Sequence, residues 1–385
     1  MEVKIVLGHA FGDEGKGVTV QWLCKEAIAQ GKKPIVIRFS GGAQAGHTIV
    51  NNGIEHVCSS FGSGVLLGVP TAYTEGFYFD PICFMNEYNV LKEKSITPTY
   101  ELPRYCRFVT PIDTLLGIDD KKVRKDGTCG KGIYKAYKRQ FAYSPANGQS
   151  NAAETFYNAA KVYYNYEAGD KYRNMFIESF KMADQNNGDF DFHNYDVLIF
   201  EGTQGLLLDM DCGFFPHVTP SRVGLNGVPS CYLNNADVYL VTRTYLTRHG
   251  NGYTPIAPCA FDLSRKRETN IKNEFQGEFK IGALEVDTLN MAFQRHCIDN
   301  VVAKKHIRLN LVFTHTDVVG DVFTFIANGE MHYMGRSDSE HNKFKYSCFE
   351  DIWMELKNYL CYTPDSVYIN NSVESNLRKI KNVDK

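Results

Sequence analysis

Two glycine-rich loops hold the residue types that phosphate chemistry needs. The first is Gly8-His9-Ala10-Phe11-Gly12-Asp13-Glu14-Gly15-Lys16-Gly17. Gly12, Gly15 and Gly17 let backbone N–H groups approach a phosphate, and a helix starting behind them would add positive potential. It is not a Walker A loop, which needs Gly where Ala10 stands and Ser or Thr where Gly17 stands. Asp13 is unusual in a loop built for anions, because a carboxylate there repels phosphate. It makes sense as a ligand for Mg²⁺ or as a base that removes a proton. The alternative is that Asp13 and Glu14 cap the helix and Lys16 is a solvated charge.

The second loop, Ser40-Gly41-Gly42-Ala43-Gln44-Ala45-Gly46-His47-Thr48, again permits close backbone approach. His47 is then either a catalytic group or a satisfied structural histidine. A third loop, Glu201-Gly202-Thr203-Gln204-Gly205, presents an amide that can donate and accept at once, as reading a purine edge requires. Asp209 and Asp211 follow it and read as metal ligands or, more simply, as solvated turn carboxylates. In Thr314-His315-Thr316-Asp317 a carboxylate could accept the N1–H and 2-amino protons of guanine, or cap a helix.

Each loop must be held by an element. Val3–Leu7, Pro34–Phe39, Val197–Phe200, Val238–Val241, Leu311–Phe313 and Val367–Ile369 are short apolar runs that predict strands. After the first loop, Val18, Val20, Trp22, Leu23 and Ala27 mark the inward face of a helix. Strands apolar throughout and separated by helices predict an α/β fold, with a mainly parallel central sheet flanked by helices. Ligands bind such sheets at the carboxyl ends of the strands, where these loops sit. A polar, tyrosine-rich stretch from about Lys135 to Gln185 reads as helical. The expectation is one domain over 1–385 with a helical insertion or cap over 135–195.

The chain has 385 residues, 43% apolar and 22% charged, with a formal net charge of -2. That balance gives no general attraction to nucleic acid or to an anionic membrane. Met1–Leu7 is too short an apolar run for a secretory signal, and no stretch approaches the ~18 apolar residues of a membrane span. The eleven cysteines form no Cys-x-x-Cys pair. Reduced, mostly buried thiols in a cytoplasmic protein are expected.

Gly12-Asp13-Glu14-Gly15-Lys16-Gly17 and Gly41-Gly42-x-x-Ala45-Gly46-His47-Thr48 resemble the two signature loops of adenylosuccinate synthetases. Glu201-Gly202-x-Gln204-Gly205, with Leu207-Leu208-Asp209-x-Asp211, Pro216, Val218 and Thr219, is similar to that family's third motif. Thr128-x-Gly130-Lys131-Gly132-Ile133, Thr247-Arg248-x-Gly250-x-Gly252 and the Asp317 segment also align, so the resemblance runs from residue 3 to about 320. It implies the P-loop-related fold of that family and a GTP-dependent ligase of purine biosynthesis. Such a ligase joins L-aspartate to the 6-position of IMP through a 6-phosphoryl intermediate. It further implies Asp13 as general base, His47 as general acid, Lys16 balancing phosphate charge and Gln204 holding the 6-substituent. Mg²⁺ would sit on Asp13 and the Gly46 carbonyl. Gly12, Glu14, Gly15, Gly17, Gln44, Thr128, Cys129, Thr219 and Asp317 would bind nucleotide, and Arg248, Gln276 and Lys280 aspartate. A homodimer is implied as well.

The departures are specific. Ala43-Gln44 replaces His-Asn, and Cys129 replaces a phosphate-binding threonine. Tyr143 stands where the family sends an arginine into its partner's site. Asn273-Glu274-Phe275-Gln276-Gly277-Glu278-Phe279-Lys280 replaces an arginine-rich loop that grips aspartate and ribose. His315 replaces a lysine, and Asn370-Asn371-Ser372 a Gly-Pro segment. These losses resemble the phage branch that makes 2-aminoadenylosuccinate nucleotide from dGMP, although that branch lacks the aspartate retained here as Asp13. Three readings stay open: ligation to IMP with GTP, ligation to dGMP or GMP with ATP or GTP, and a nucleotide-binding regulator without ligase activity.

Overall fold

The computed structural model describes residues 1–102, 107–121, 129–140, 152–185, 187–188, 191–253, 277–296, 304–320, 322–336, 344–346, 348–372 and 376–380. Thr128, Tyr143 and Gln276 lie outside them.

Strand β1 (Glu2–Gly8) is fully buried from Ile5 to Leu7 and feeds the first glycine loop and helix α1 (Lys16–Ala29). Of the expected inward positions, Val20, Leu23 and Ala27 are buried while Val18 and Trp22 are half-buried. β2 (Pro34–Arg38) precedes the hairpin of β3 (His47–Asn51) and β4 (Ile54–Cys58). β5 (Thr71–Tyr73) and β6 (Tyr78–Phe79) lead into α2 (Pro81–Glu93). Asp80 starts that helix by accepting from the N–H of Ile82 at 2.9 Å and of Cys83 at 3.0 Å, with Pro81 at its first position. β7 (Arg107–Phe108) precedes α3 (Pro111–Asp119), whose Thr110 and Asp113 form a capping box.

The polar stretch that follows holds α4 (Ile133–Gln140), α5 (Ala152–Tyr164) and α6 (Asp170–Gln185). α5 and α6 share an aromatic core with α2, in which Phe108 stacks on Phe156 at 4.0 Å between centroids, while Ile133 and Ala136 of α4 pack on Tyr78 and Val109. Arg139 and Asp113, both fully buried, pair at 3.1 Å and tie α4 to α3.

β8 (Val197–Gly205), β9 (Asp237–Arg243), β10 (Tyr245–His249), β11 (Phe279–Glu285), α7 (Val286–Arg295) and β12 (Arg308–Thr314) come next. β13 (Val322–Ala327), β14 (Glu330–Arg336), β15 (Phe344–Tyr346), α8 (Phe349–Leu356), β16 (Ser366–Ile369) and β17 (Arg378–Lys379) complete the order. The main sheet runs β17-β16-β12-β9-β1-β8-β2-β5, and every neighbouring pair is parallel except β16 with β17. The expected mainly parallel α/β architecture is what the chain adopts.

The sequence reading did not anticipate the second sheet, β10-β11-β13-β14-β15, with mixed strand directions. The chain leaves β9 and enters β10 after Thr244 alone, carrying it out of the main sheet. β13 and β14 pair through Asn328 and Gly329, both at positive φ as a tight hairpin turn demands. The thiols also depart from expectation. Cys24 and Cys58 are buried, but Cys231, Cys348 and Cys361 are exposed, and the described cysteines are free.

Candidate active site

Parallel pairing brings the carboxyl ends of β1, β2, β8, β9 and β12 to one edge. Gly8 is in register with Gly205 and Val241, Arg38 with Glu201, and Thr314 with Arg243. The four loops singled out in the sequence therefore meet.

The first loop turns back on itself through Gly12, at φ 98°, and Asp13, at φ 64°. Helix α1 starts from Gly15 with no side-chain cap, so Asp13 and Glu14 are not helix caps. Lys16 is not solvated either: it is 1% exposed and pairs with Glu14 at 2.6 Å. The other Glu14 oxygen accepts from the N–H of Ala10 at 3.1 Å and of Gly12 at 2.8 Å. Burial opposes ionisation of Glu14, but Lys16 outweighs it and holds the carboxyl below its usual range. The space for this carboxylate exists because Gly8 and Gly205 lack side chains. A Cβ on Gly8 would lie 2.2 Å from one Glu14 oxygen, and a Cβ on Gly205 2.6 Å from the other.

Asp13 accepts from His249 Nε2 at 3.2 Å, while Arg243 Nε donates to the Asp13 carbonyl. Burial again pushes the carboxyl upward. The His249 hydrogen bond and the charges of Arg243 and Lys16 prevail, so Asp13 sits below the ordinary aspartate range.

In the second loop His47 is buried against the start of α1, its Cβ 2.7 Å from where a Gly17 side chain would begin. Its Nδ1 is 2.5 Å from Glu201 Oε1. Glu201 is fully buried and also accepts from Ser63 N at 2.9 Å and Ser63 Oγ at 2.5 Å. Burial alone would raise its pKa. The buried Arg38 on the neighbouring strand, His47 and Ser63 reverse that and pull it to about 2. His47 Nε2 has no partner. Burial lowers the pKa of His47 against the opposing pull of Glu201, which favours a neutral ring donating from Nδ1.

Other expected positions fall around this centre. Gln44 has both amide atoms buried without a partner, beside Gly41 and Gly42. Ser40 Oγ lies 3.1 Å from Thr203 Oγ1, and Gly41 N donates to Ser221 Oγ at 2.8 Å, so the second and third loops are fastened together. Gln204 Oε1 accepts from Thr203 at 2.7 Å. Thr219 is half-buried, its N–H donating to Leu208 O at 2.8 Å. Cys129 is half-buried, and burial raises its thiol pKa. Thr314 Oγ1 donates to Glu14 O at 2.6 Å, which pulls the Asp317 segment against the first loop. Asp317 itself is exposed in a short turn over Thr316–Val318.

Arg248 lies over the Phe11 ring at 4.3 Å and donates to Asn251 O at 3.0 Å and His217 O at 3.3 Å. Its Nη1 has no partner, and burial lowers its pKa to about 10. Lys280 stands opposite Arg248 in register on β11. Asp209 corrects the expectation of a solvated turn. It is 0% exposed and accepts from the N–H of Asp211 at 2.9 Å, Cys212 at 3.3 Å and Val223 at 2.7 Å. Asp211 pairs with Arg222 at the surface.

The model of the family described as adenylosuccinate synthetase matches residues 5–149 and 145–305. The chain belongs to the adenylosuccinate synthetase family. A curated adenylosuccinate synthetase of Shewanella amazonensis is 31% identical over 288 residues, covering 65% of this chain and 64% of its own length. One from Pseudomonas aeruginosa is 32% identical over 287 residues, with 65% and 64% covered. The chain thus spans about 64% of these curated relatives. Among solved structures, fully ligated adenylosuccinate synthetase from Plasmodium falciparum superposes with a TM-score of 0.73 at 20% identity, over 99% of this chain and 100% of that one. The cyanophage S-2L succinoaminodeoxyadenylate synthetase bound to dGMP and dATP gives a TM-score of 0.63 at 14% identity, over 98% and 95%.

Within this member of the adenylosuccinate synthetase family, reading the sequence missed His249, Arg243, Ser63 and Arg38 as partners of the loop residues. Arg38 carried a faint signal, as a charge at the end of an otherwise apolar strand. His249 is the unnamed position inside the Thr247-Arg248-x-Gly250 motif, and Arg243 and Ser63 had no signal.

His9, at the base of the first loop, sets an acid limit on stability. It is buried with Nε2 3.3 Å from Thr288 Oγ1, and burial pushes its pKa down to about 4. An unfolded histidine titrates near ~6.5, so between that pH and about 4 the unfolded chain gains a proton that the folded one refuses. Stability should fall across this window as pH drops. Thermal unfolding at a series of pH values should show a His9→Gln variant losing less than the wild type; equal losses would remove His9 as the cause.

Proposed function

We propose that the chain joins L-aspartate to the 6-position of a purine nucleotide, with IMP as acceptor and GTP as phosphoryl donor. The observation that carries this reading is an ionised Asp13 on the same loop as buried Lys16, together with a His47 packed on the start of the helix that Lys16 opens, its Nε2 open and its Nδ1 fixed by Glu201. A pure binding protein has no need of a base beside a phosphate.

In this reaction Asp13 takes the N1 proton of the purine and charge builds on O6. That oxygen attacks the γ-phosphorus of GTP, the bond to the bridging oxygen breaks, and GDP leaves. The amine of aspartate then attacks C6 and loses one proton, and the C6–O6 bond breaks with release of inorganic phosphate. His47 faces the transferring phosphoryl group through Nε2. Negative charge arriving there favours the imidazolium, which lets a ring that is neutral beforehand become the donor. Lys16 balances the phosphate charge, Gln204 holds the 6-substituent, and Gly12, Gly15 and Gly17 offer backbone to the nucleotide. Gln44, Cys129, Thr128 and Thr219 contribute to the nucleotide phosphate, and Asp317 to the donor base. Arg248 and Lys280, cross-strand neighbours and both cationic, suit the two carboxylates of aspartate; Gln276, outside the described residues, is assigned to the same substrate.

Mg²⁺ suits the donors present, because Asp13 is an ionised carboxylate about a quarter exposed and Gly46 offers a carbonyl on an exposed residue. Bound there it would neutralise charge on the phosphates. A homodimer and a cytoplasmic location are part of this proposal. Among the described residues no helix is long and apolar enough to cross a membrane.

A second acceptor, dGMP or GMP with ATP or GTP, is favoured by the replaced arginine-rich loop and by the cyanophage neighbour, which binds dGMP and dATP. Mass spectrometry of the protein with Mg²⁺ and aspartate, crossing GTP and ATP against IMP, dIMP, GMP and dGMP, separates the readings. A succinyl adduct with IMP is expected. An adduct only with a guanine nucleotide moves the chain to the second reading, and nucleotide binding without any product leaves a regulator.

A further inference from the structure

Behind the active-site histidine the hairpin carries a second cluster of a different chemical kind. His56 and Cys58 are two residues apart on β4, so they share one face of the strand, and both point inward. Helix α2 brings Glu87 to them. The three are 3%, 0% and 7% exposed, while Val57 between them is 50% exposed. Their potential donor atoms all lie within 4.8 Å of one another, and His56 Nε2 is 3.2 Å from Glu87 Oε1.

Tetrahedral zinc with bonds of ~2.0–2.3 Å places neighbouring donors about 3.3–3.6 Å apart. The histidine and the carboxylate already have that spacing, and the thiol, within 4.8 Å of a donor atom of each, closes the site by a shift on the order of 1 Å. The supporting hydrogen bonds are also in place. Glu87 Oε2 is held by Ser59 N at 3.0 Å, Ser59 Oγ at 2.8 Å and Ser60 N at 2.6 Å. Oε1 meets only His56 and, at 3.4 Å, the N–H of Phe61. One oxygen is thus fixed and the other turned toward the cluster, as outer hydrogen bonds arrange a ligating carboxylate. The Cys58 thiol has a weak contact at 3.8 Å to Gly62 O. A cavity of about 390 Å³, lined by His56, Ser59, Cys83 and Glu87 and also by Lys94 and Lys131, gives an ion a path to the imidazole and the carboxylate, with Cys58 behind them.

We propose that His56, Cys58 and Glu87 form a binding site for a soft or borderline divalent cation of the zinc type, separate from the Mg²⁺ position in the phosphate loops. On binding Cys58 gives up its proton, the His56 proton shifts from Nε2 to Nδ1, and one Glu87 oxygen completes the protein ligands. Metal on Nε2 leaves the proton on Nδ1, which now faces the Lys94 ammonium at 3.3 Å. Lys94 therefore moves away from His56, and its contact at 2.8 Å to Glu55 O offers it a place. The site joins the hairpin to α2. Because Cys58 is the cross-strand partner of His47, the ion fastens the strand that positions the active-site imidazole.

The test uses Zn²⁺ and Co²⁺ on the purified full chain. Co²⁺ should bind at about one equivalent with a thiolate-to-metal charge-transfer band, and Zn²⁺ should displace it and raise the melting temperature. The band should vanish in Cys58→Ser and persist in Cys231→Ser, which removes an exposed thiol elsewhere. His56→Gln should weaken binding by about ten-fold or more, and Lys94→Met should strengthen it. X-ray absorption on the zinc-loaded wild type guards against variants that fail to fold, and should read one sulfur with nitrogen and oxygen neighbours. A shell without sulfur, or a charge-transfer band that survives Cys58→Ser, overturns the site and leaves a hydrogen-bonded polar cluster.

Discussion

Replacing Asp13 by asparagine is expected to lower the ligation rate by about 10²–10⁴-fold while nucleotide affinity stays within a few-fold. The substitution is close to a pure removal of charge and basicity. Asp13 holds a left-handed backbone at φ 64°, and asparagine is among the few residues that accept such a conformation, so the loop need not refold. The Asn amide can still meet His249, and Arg243 still donates to the main-chain carbonyl. The buried Lys16–Glu14 pair, which shapes the loop, is untouched. What disappears is a carboxylate kept ionised by His249, Arg243 and Lys16, the group we propose as acceptor of the purine proton. Initial rates of product formation beside calorimetric titration of the nucleotide give the two readouts. Near-normal turnover would remove Asp13 as the base.

Glu201→Gln should combine a loss of activity with a loss of stability. Glu201 orients His47 through Nδ1 and compensates the charge of buried Arg38. An amide in its place removes the negative charge that offsets the buried guanidinium of Arg38 on the neighbouring strand, so the melting temperature should fall. The ring of His47 becomes free to flip, and turnover should drop on the order of 10²-fold, in kcat more than in KM. A merely structural role would not move the pH profile. Here Glu201 raises the pKa of His47, so its removal should shift the histidine-dependent limb of the profile to lower pH. A folded variant with unchanged kcat and profile would show that His47 acts without this carboxylate.

Much of this was legible in the sequence because it rests on local patterns. Ile5, Val6 and Leu7 or Leu198, Ile199 and Phe200 are buried on both faces of the sheet, and only uninterrupted apolar runs survive there. The glycine loops announced themselves by residue type. The antiparallel hairpins β3–β4 and β13–β14 also left a local trace, in the Asn52-Gly53 and Asn328-Gly329 turns, both residues of each pair at positive φ. That signal went unread because the apolar runs drew attention to parallel strands. Other features have no local trace. Asp13 meets His249, and Arg38 faces Glu201, only once the strands are in register. Asp209 sits in a polar stretch that reads as solvent-exposed, yet three N–H groups satisfy it in the core.

The Glu14 carboxylate inside the first loop has a consequence for how that loop meets its ligand. Without a nucleotide, the converging N–H groups and the Lys16 ammonium already hold an anion, the protein's own. On the proposed reading, a phosphate reaching these same groups would arrive by exchange, with one anion displacing another, and binding would measure the difference between two partners. The loop does not have to be assembled around its guest, because the tenant it evicts has kept the room in shape.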